Sequence, residues 1–401
     1  MIRSFPVSPL MPSAAARRRY TGPALLSFGF RPFFLGAALW AVIAVPLWLW
    51  VHLGGEGGPA VDRDWHVHEM LFGYVVGVIA GFLLTAVPNW TGRLPVTGTP
   101  LAGLVCLWLA GRVTMLLAPA LPAAAAIDAA FLVVFAGVIW REVLAGRNWR
   151  NLPVAVMVTL LALANLAFHG RIVLPDLGPL AERGAVGMIA LLIAFIGGRV
   201  VPSFTRNWLV QVGRTPLPAT EDRVDKVGVV MVAVAVASWI TLPDQRLTGI
   251  ALCLGGLATL FRLSRWRTRR VVGEPLVWSL HAGYAWLGLG LILVGASVLD
   301  PGAFPRTAGL HALLTGAAGV MTLAMMTRAT LGHTGRERFA DPATVALYLA
   351  VNLSAACRVA AAFTPDARPA LLVAAGTLWV VAFGRFVVRY GPMLVRPRLA
   401  A

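Results

Sequence analysis

Charge is scarce in this sequence. Only 13% of its 401 residues are Asp, Glu, Lys or Arg, about half the roughly 25% of an ordinary soluble domain. That shortage excludes a soluble enzyme as the bulk of the chain. A net charge of +17 would suggest nucleic acid as the partner of a soluble protein. Here the arginines lie between apolar runs, so no nucleic-acid partner is implied. Cysteine is scarce too: Cys106, Cys253 and Cys357 are far apart within apolar stretches. They form no disulfide framework, no C-x-x-C-H haem attachment and no C-x-x-C metal site, and read as small packing residues. P-loop, G-x-G-x-x-G, H-E-x-x-H and G-x-S-x-G patterns are missing as well. Any chemistry has to sit among the apolar segments.

What is present is hydrophobic: 58% of the residues, with a mean hydropathy of +0.77. Apolar runs of 18 or more residues recur along the length, which marks an all-α polytopic transmembrane bundle. A β-barrel would show short alternating segments instead. Pro, Gly and Arg punctuation divides the chain into twelve spans, near 33–52, 66–88, 101–118, 123–140, 153–173 and 184–201, then 226–243, 248–264, 276–298, 308–327, 342–363 and 369–390. The domain reading is therefore an N-terminal tail over 1–32, a membrane domain over 33–390 and a C-terminal tail over 391–401. Arg17, Arg18 and Arg19 precede the first run without a small-residue cleavage site after it, so the first helix reads as retained. Of the 34 Lys and Arg residues, Arg63, Arg171, Arg183, Arg246, Arg306 and Arg368 fall on one side, and Arg112 and Arg358 lie within spans. The remaining 26 fall on the other side with both tails. Both termini are thus expected in the cytoplasm.

The stretch "DWHVHEMLFGYVVGVIAGFLLTAVPNWTGR" at 64–93 echoes later in the chain. His68 to Arg93 and His311 to Arg336 are each 25 residues apart, at an offset of 243, with Gly73 matching Gly316 and Thr91-Gly92-Arg93 matching Thr334-Gly335-Arg336. At an offset of 114, Gly73 matches Gly187, Val87-Pro88 matches Val201-Pro202, and Glu182 takes the place of His68. These segments are spans two, six and ten. The pattern reads as three repeated four-helix units, the same helix of each contributing to a centre. It puts His68, Glu182 and His311 at similar depth near the outer face.

Five of the seven histidines, His52, His66, His68, His169 and His311, fall at outer ends of spans. A lone histidine at a helix end is usually an interfacial hydrogen-bonding group. Several converging on one face point to function, because ionisable groups in a membrane are costly, and imidazole ligates copper, zinc and haem iron. His66 and His68 differ by about 200° in direction on a continuous helix. Either His66 precedes the first turn and joins His68 on one metal, or the two serve different partners. Glu69 suits an acceptor that orients an imidazole N–H, or an acid favoured in a first helical turn. Asn165 lies one turn before His169 and either orients it or bonds within the bundle. His281, among Trp278, Tyr284 and Trp286, is either an inner haem ligand or a packed core histidine. His333 falls in a cationic loop after span ten. Arg31, Arg93, Arg199, Arg328 and Arg336 lie near the cytoplasmic face, where one or two could pair with haem propionates.

"GFRPFF" at 29–34, "HVHEMLFG" at 66–73, "GFLLTAVPNWTGR" at 81–93, "GGRVVPSFT" at 197–205, "LHAGYAWLG" at 280–288 and "MTRATLGHTGR" at 326–336 together resemble the NnrS family. The resemblance implies a bacterial inner-membrane protein of about twelve helices. It also implies non-covalent haem b and copper, and a role in nitric oxide metabolism and protection from nitrosative stress. The family's motif histidines correspond to His66, His68, His169, His281, His311 and His333; His52 lies outside those motifs. The resulting expectation is a metal centre near the periplasmic side built from His66, His68, His169 and His311, with Glu69 and Asn165 supporting it. His281 and His333, with Arg93 and Arg336, are the reserve as haem-binding residues. The paired-histidine pattern of haem–copper oxidases is missing, which argues against proton-coupled oxygen reduction. No electron donor is implied. The competing readings are a redox protein acting on nitric oxide, a twelve-helix secondary transporter using Arg112 and Arg358, and a metal or haem export module.

Overall fold

In lipid every backbone N–H and C=O must be satisfied within the protein, so long apolar segments resolve into helices. The computed structural model describes residues 20–56, 61–219 and 221–399, and among them it is helical without any strand. Twelve of its helices are long and apolar enough to cross a membrane: α1 (Phe30–His52), α2 (Arg63–Thr91), α3 (Gly98–Leu117), α4 (Pro122–Ala145), α5 (Trp149–Gly170), α6 (Leu177–Gln211), α7 (Arg223–Thr241), α8 (Arg246–Ser264), α9 (Pro275–Leu299), α10 (Arg306–His333), α11 (Pro342–Phe363) and α12 (Arg368–Val395). Residues 1–19, most of the N-terminal tail, lie outside the described residues.

Each expected span has its helix. The largest differences in length are in α6, which extends well beyond 184–201, and in α10, which continues to His333 where a loop was expected. Hydropathy falls at the first charges, such as Glu182, Arg183 and Arg199, whereas helical hydrogen bonding continues past them.

Three helices organise the rest. α2, α6 and α10 are the most buried of the twelve, and all three line a common cavity. The others form hairpins around them, and α12 returns to pack on α1. The Trp379 indole donates to the Ala41 carbonyl at 3.1 Å across that contact. Arg31, buried near the start of α1, donates to the carbonyls of Met393 (3.2 Å), Leu394 (2.8 Å) and Arg396 (2.7 Å).

The three central helices start at residues 63, 177 and 306, the register of the sequence echo. Each is interrupted by a wide π-helical segment, at Glu69–Val75, Ile193–Gly197 and Ala312–Gly319. The first and third coincide in the repeat frame; the second lies deeper in its helix. Gly92 and Gly335, equivalent at the 243 offset, both have a left-handed backbone (φ 72° and 76°), which a residue with a Cβ adopts only at a cost. At the 114 offset α6 continues as helix instead.

π segments loosen the backbone ladder, and side chains take up the freed carbonyls. The Trp108 indole donates to Gly73 at 3.1 Å, and Tyr284 Oη donates to Ala194 at 3.3 Å. Such wide turns concentrate at functional sites.

Candidate functional site

α2 starts at Arg63 because Asp62 caps it, accepting the Trp65 N–H at 2.7 Å. His66 and His68 therefore stand on one continuous helix and face different neighbours. The four histidines expected in one centre are brought together as two pairs: His66 with His311, and His68 with His169.

The first pair lines a cavity of about 310 Å³ at the end of the bundle where α1 ends and α2 starts. His52, Arg63, Glu182, Arg183, Arg306 and Arg358 also line it. The His66 ring stacks on Trp48 at 5.0 Å and 13°, and its Nδ1 is buried with no hydrogen-bond partner. His311 Nδ1 donates to the Thr307 carbonyl at 2.9 Å. That bond fixes the proton on Nδ1 and leaves Nε2 as the lone-pair nitrogen. Arg63 grips Glu182 through both carboxylate oxygens, at 2.9 and 2.8 Å. One acid against four arginines leaves the cavity strongly cationic. Tyr74, Val75 and Trp379 contribute to its apolar wall.

The second pair belongs to a buried ionic cluster. His68 is fully buried, with Nδ1 2.9 Å from Glu69 Oε1 and Nε2 3.0 Å from Asp128 Oδ2. Asp128 Oδ2 also meets His169 Nε2 at 2.9 Å and accepts from Asn165 Nδ2 at 3.0 Å. Arg112 bridges the two acids, donating to Glu69 Oε2 at 2.8 Å and to Asp128 Oδ1. With a doubly protonated His68, two cations balance two carboxylates and both of its N–H groups have acceptors. Gly73 makes room for this arrangement, since a Cβ there would lie 2.4 Å from Arg112 Nη1 and 2.9 Å from Glu69 Oε2. Donor atoms of His68, Asp128 and His169 lie within 4.8 Å of one another, a spacing that could hold a metal.

At the opposite, arginine-rich end, His281 is buried. Thr205 donates its hydroxyl hydrogen to the Val201 carbonyl at 2.8 Å, so His281 Nε2–H donates to Thr205 Oγ1, also at 2.8 Å. Thr268 Oγ1 lies 2.9 Å from Nδ1 and 3.3 Å from the Leu263 carbonyl, and its hydroxyl proton faces the nearer nitrogen. Both ring nitrogens are thereby satisfied, as in a packed core histidine. His333 packs against Phe28 and Phe30, with ring centroids 6.3 and 5.4 Å apart. Arg93 is paired with Glu142 at 2.8 Å. Arg336 Nη1 lies 3.5 Å from the Thr334 carbonyl and, with Arg385, Arg389 and Arg396, lines a separate groove beside α12.

Three residues of these sites carry weaker sequence signals than the histidines do. Asp128, alone in the apolar stretch "AAAAIDAAFLVV", was visible as an intramembrane acid. Trp48 and Tyr74 carry no such signal, because an aromatic in a span usually means packing.

Twelve apolar spans around an interior of paired acids, arginines and histidines define a polytopic membrane protein whose polar chemistry is internal. The sequence matches the NnrS protein family over residues 24–398, nearly its whole length, and the chain belongs to that family. No curated protein matches it. Membership supports a membrane protein connected with nitric oxide.

Proposed function

We propose that this protein binds haem b in the histidine cavity and handles nitric oxide there. The observation that carries the reading is His311, with Nδ1 donated to Thr307 on a residue that lines the cavity. A metal-ligating imidazole characteristically gives its other N–H to a carbonyl or carboxylate, which orients the ring and raises its basicity. His66, whose buried Nδ1 lacks a partner, is the second imidazole.

The donor set fits the group. Arg183, Arg306 and Arg358 provide cations for two propionates, and Trp48 and Trp379 provide flat apolar walls. Bound ferrous haem supplies an iron with affinity for nitric oxide; the chain's residues hold it, neutralise its carboxylates and limit water. The His68–Asp128–His169 cluster fits copper poorly as arranged. Both His68 nitrogens are engaged, Arg112 abuts Asp128, and a soft ion prefers thiolate or imidazole to carboxylate. No role for copper is derived there.

The inner membrane, with both termini in the cytoplasm and the histidine cavity towards the periplasm, is the location we infer from the distribution of arginines. Protection from nitrosative stress follows from removing or holding nitric oxide.

An absorption spectrum of the purified protein tests the proposal. The expected result is a Soret band that is lost in His311→Ala and retained in His281→Gln. Full haem content in His311→Ala would sink the assignment. The transport reading keeps one support, the unpaired Arg358 in the cavity; Arg112 is neutralised by Glu69 and Asp128. A colourless, well-folded preparation would favour it.

A further inference from the structure

Deeper in the bundle than the histidine cavity, α2, α6 and α10 line a second space of about 90 Å³, open on one side where Ile79, Phe82, Ile196 and Val200 are only half-buried. Its wall is formed by aliphatic, aromatic and methionine side chains, among them Val78, Phe82, Ile189, Ile193, Met321 and Met325. The hydroxyl there belongs to Thr322, and it is already engaged. Thr322 donates to the Gly319 carbonyl at 3.0 Å, and its oxygen accepts the hydroxyl proton of Tyr74 at 2.6 Å. A buried water needs two to four polar partners, and cavities without them stay dry and take up apolar guests; an engineered cavity of about 150 Å³ binds benzene or xenon. Ninety cubic ångströms suits a molecule of two or three heavy atoms.

The position of the chamber is as informative as its lining. All three π segments contribute to the wall, through Val75, Ile193 and Ala318. The space therefore lies where the three repeat-equivalent helices are widened. Val75 lines both this chamber and the histidine cavity. The Tyr74–Thr322 hydrogen bond joins a residue of one to a residue of the other.

We propose that this chamber is a docking site for a small uncharged gas, with the Tyr74–Thr322 pair as the partition between it and the histidine cavity. An apolar diatomic gains contact with a preformed dry wall and displaces no water. Uptake of a gas stands on the chamber alone. Delivery of nitric oxide to the cavity rests on the haem reading above.

The test uses crystals of the full-length protein pressurised with xenon. One xenon in the chamber is expected for the unmodified chain, with none in Ala318→Leu or, should that variant fold poorly, in Val78→Phe. An empty chamber under xenon, or ordered water within it, overturns the proposal. Flash photolysis of the carbon monoxide adduct of the ferrous protein reads the partition. The slow geminate phase, which reports ligand held inside the protein, is expected to shrink several-fold in Ala318→Leu and to become faster in Tyr74→Phe. A phase unchanged in both variants overturns the partition. Xenon in the chamber of a colourless preparation would leave the gas site standing while the haem reading fails.

Discussion

Asp128 meets His68, His169, Asn165 and Arg112 at once, inside a helix bundle and fully screened from water. At this depth a broken ion pair is worse than one never made, because the surviving charge keeps its desolvation penalty. Asp128→Ala should therefore destabilise the protein by about 3–5 kcal/mol, measured by thermal unfolding in detergent. A wild-type melting point would show that the cluster carries no such load. Gly73→Ala should act in the same direction, by driving Arg112 off Glu69. His281→Gln is the contrast: glutamine can both donate and accept, so Thr205 and Thr268 keep partners and the loss should stay near 1 kcal/mol. At this scale the sequence revealed which residue types were costly to place in lipid but not who met whom. His66 and His68 are two residues apart and belong to different sites, a separation implicit in their angular offset. That the partners would be Trp48 and Asp128 depended on helices far away in the chain.

Helices announced themselves through apolar runs, and their caps explain several of their starts. Asp341 opens α11 by accepting the Thr344 N–H at 2.8 Å and the Thr344 hydroxyl at 2.7 Å. Its other oxygen takes Arg389 Nε of α12 at 2.9 Å. Partial burial works against its ionisation, but the bonds from Thr344 and the charge of Arg389 outweigh it and hold the carboxyl below the usual range. A carboxyl with a depressed folded-state value stabilises above its unfolded value, about pH 4, and loses that contribution as pH falls through the folded value. Asp341→Ala should cost about 1 kcal/mol at neutral pH, as lost caps do, and the difference from wild type should vanish in acid melts. The π segments left no comparable mark in the sequence. "EMLFGYV" and "ALLTGAAG" share one matched glycine and little else, and the wider turn is settled by what packs against it. Arg262, which donates to the Ala194 carbonyl at 3.4 Å and is anchored on Tyr284 Oη at 2.6 Å and Asp225 Oδ1 at 3.1 Å, braces the helix that carries the second such segment. Arg262→Met should preserve α8 while increasing amide exchange around Ile193–Gly197. Unchanged exchange there would mean that the backbone holds the turn unaided.

For the whole molecule, spacing at 114 and 243 residues in the sequence reappears as three central helices that start in register and share a chamber. Side orientation is a matter of charge bias. A fluorescent protein that matures only in the cytoplasm, fused after residue 399, should light up, whereas a fusion in the loop between α1 and α2 should stay dark. The reverse pattern would turn the histidine cavity inward. The partnership of α1 with α12 could not be read from either segment, since it joins residues more than three hundred positions apart. Yet it governs how the chain must be made. Arg31 enters the membrane with α1, and the carbonyls that receive its guanidinium, those of residues 393, 394 and 396, are synthesised more than 360 residues later. Throughout translation the first helix carries a cation without its final acceptors and a flank without its neighbour. A transcript cut short before residue 393 would thus leave α1 unfinished, carrying a cation that no carbonyl of α12 receives.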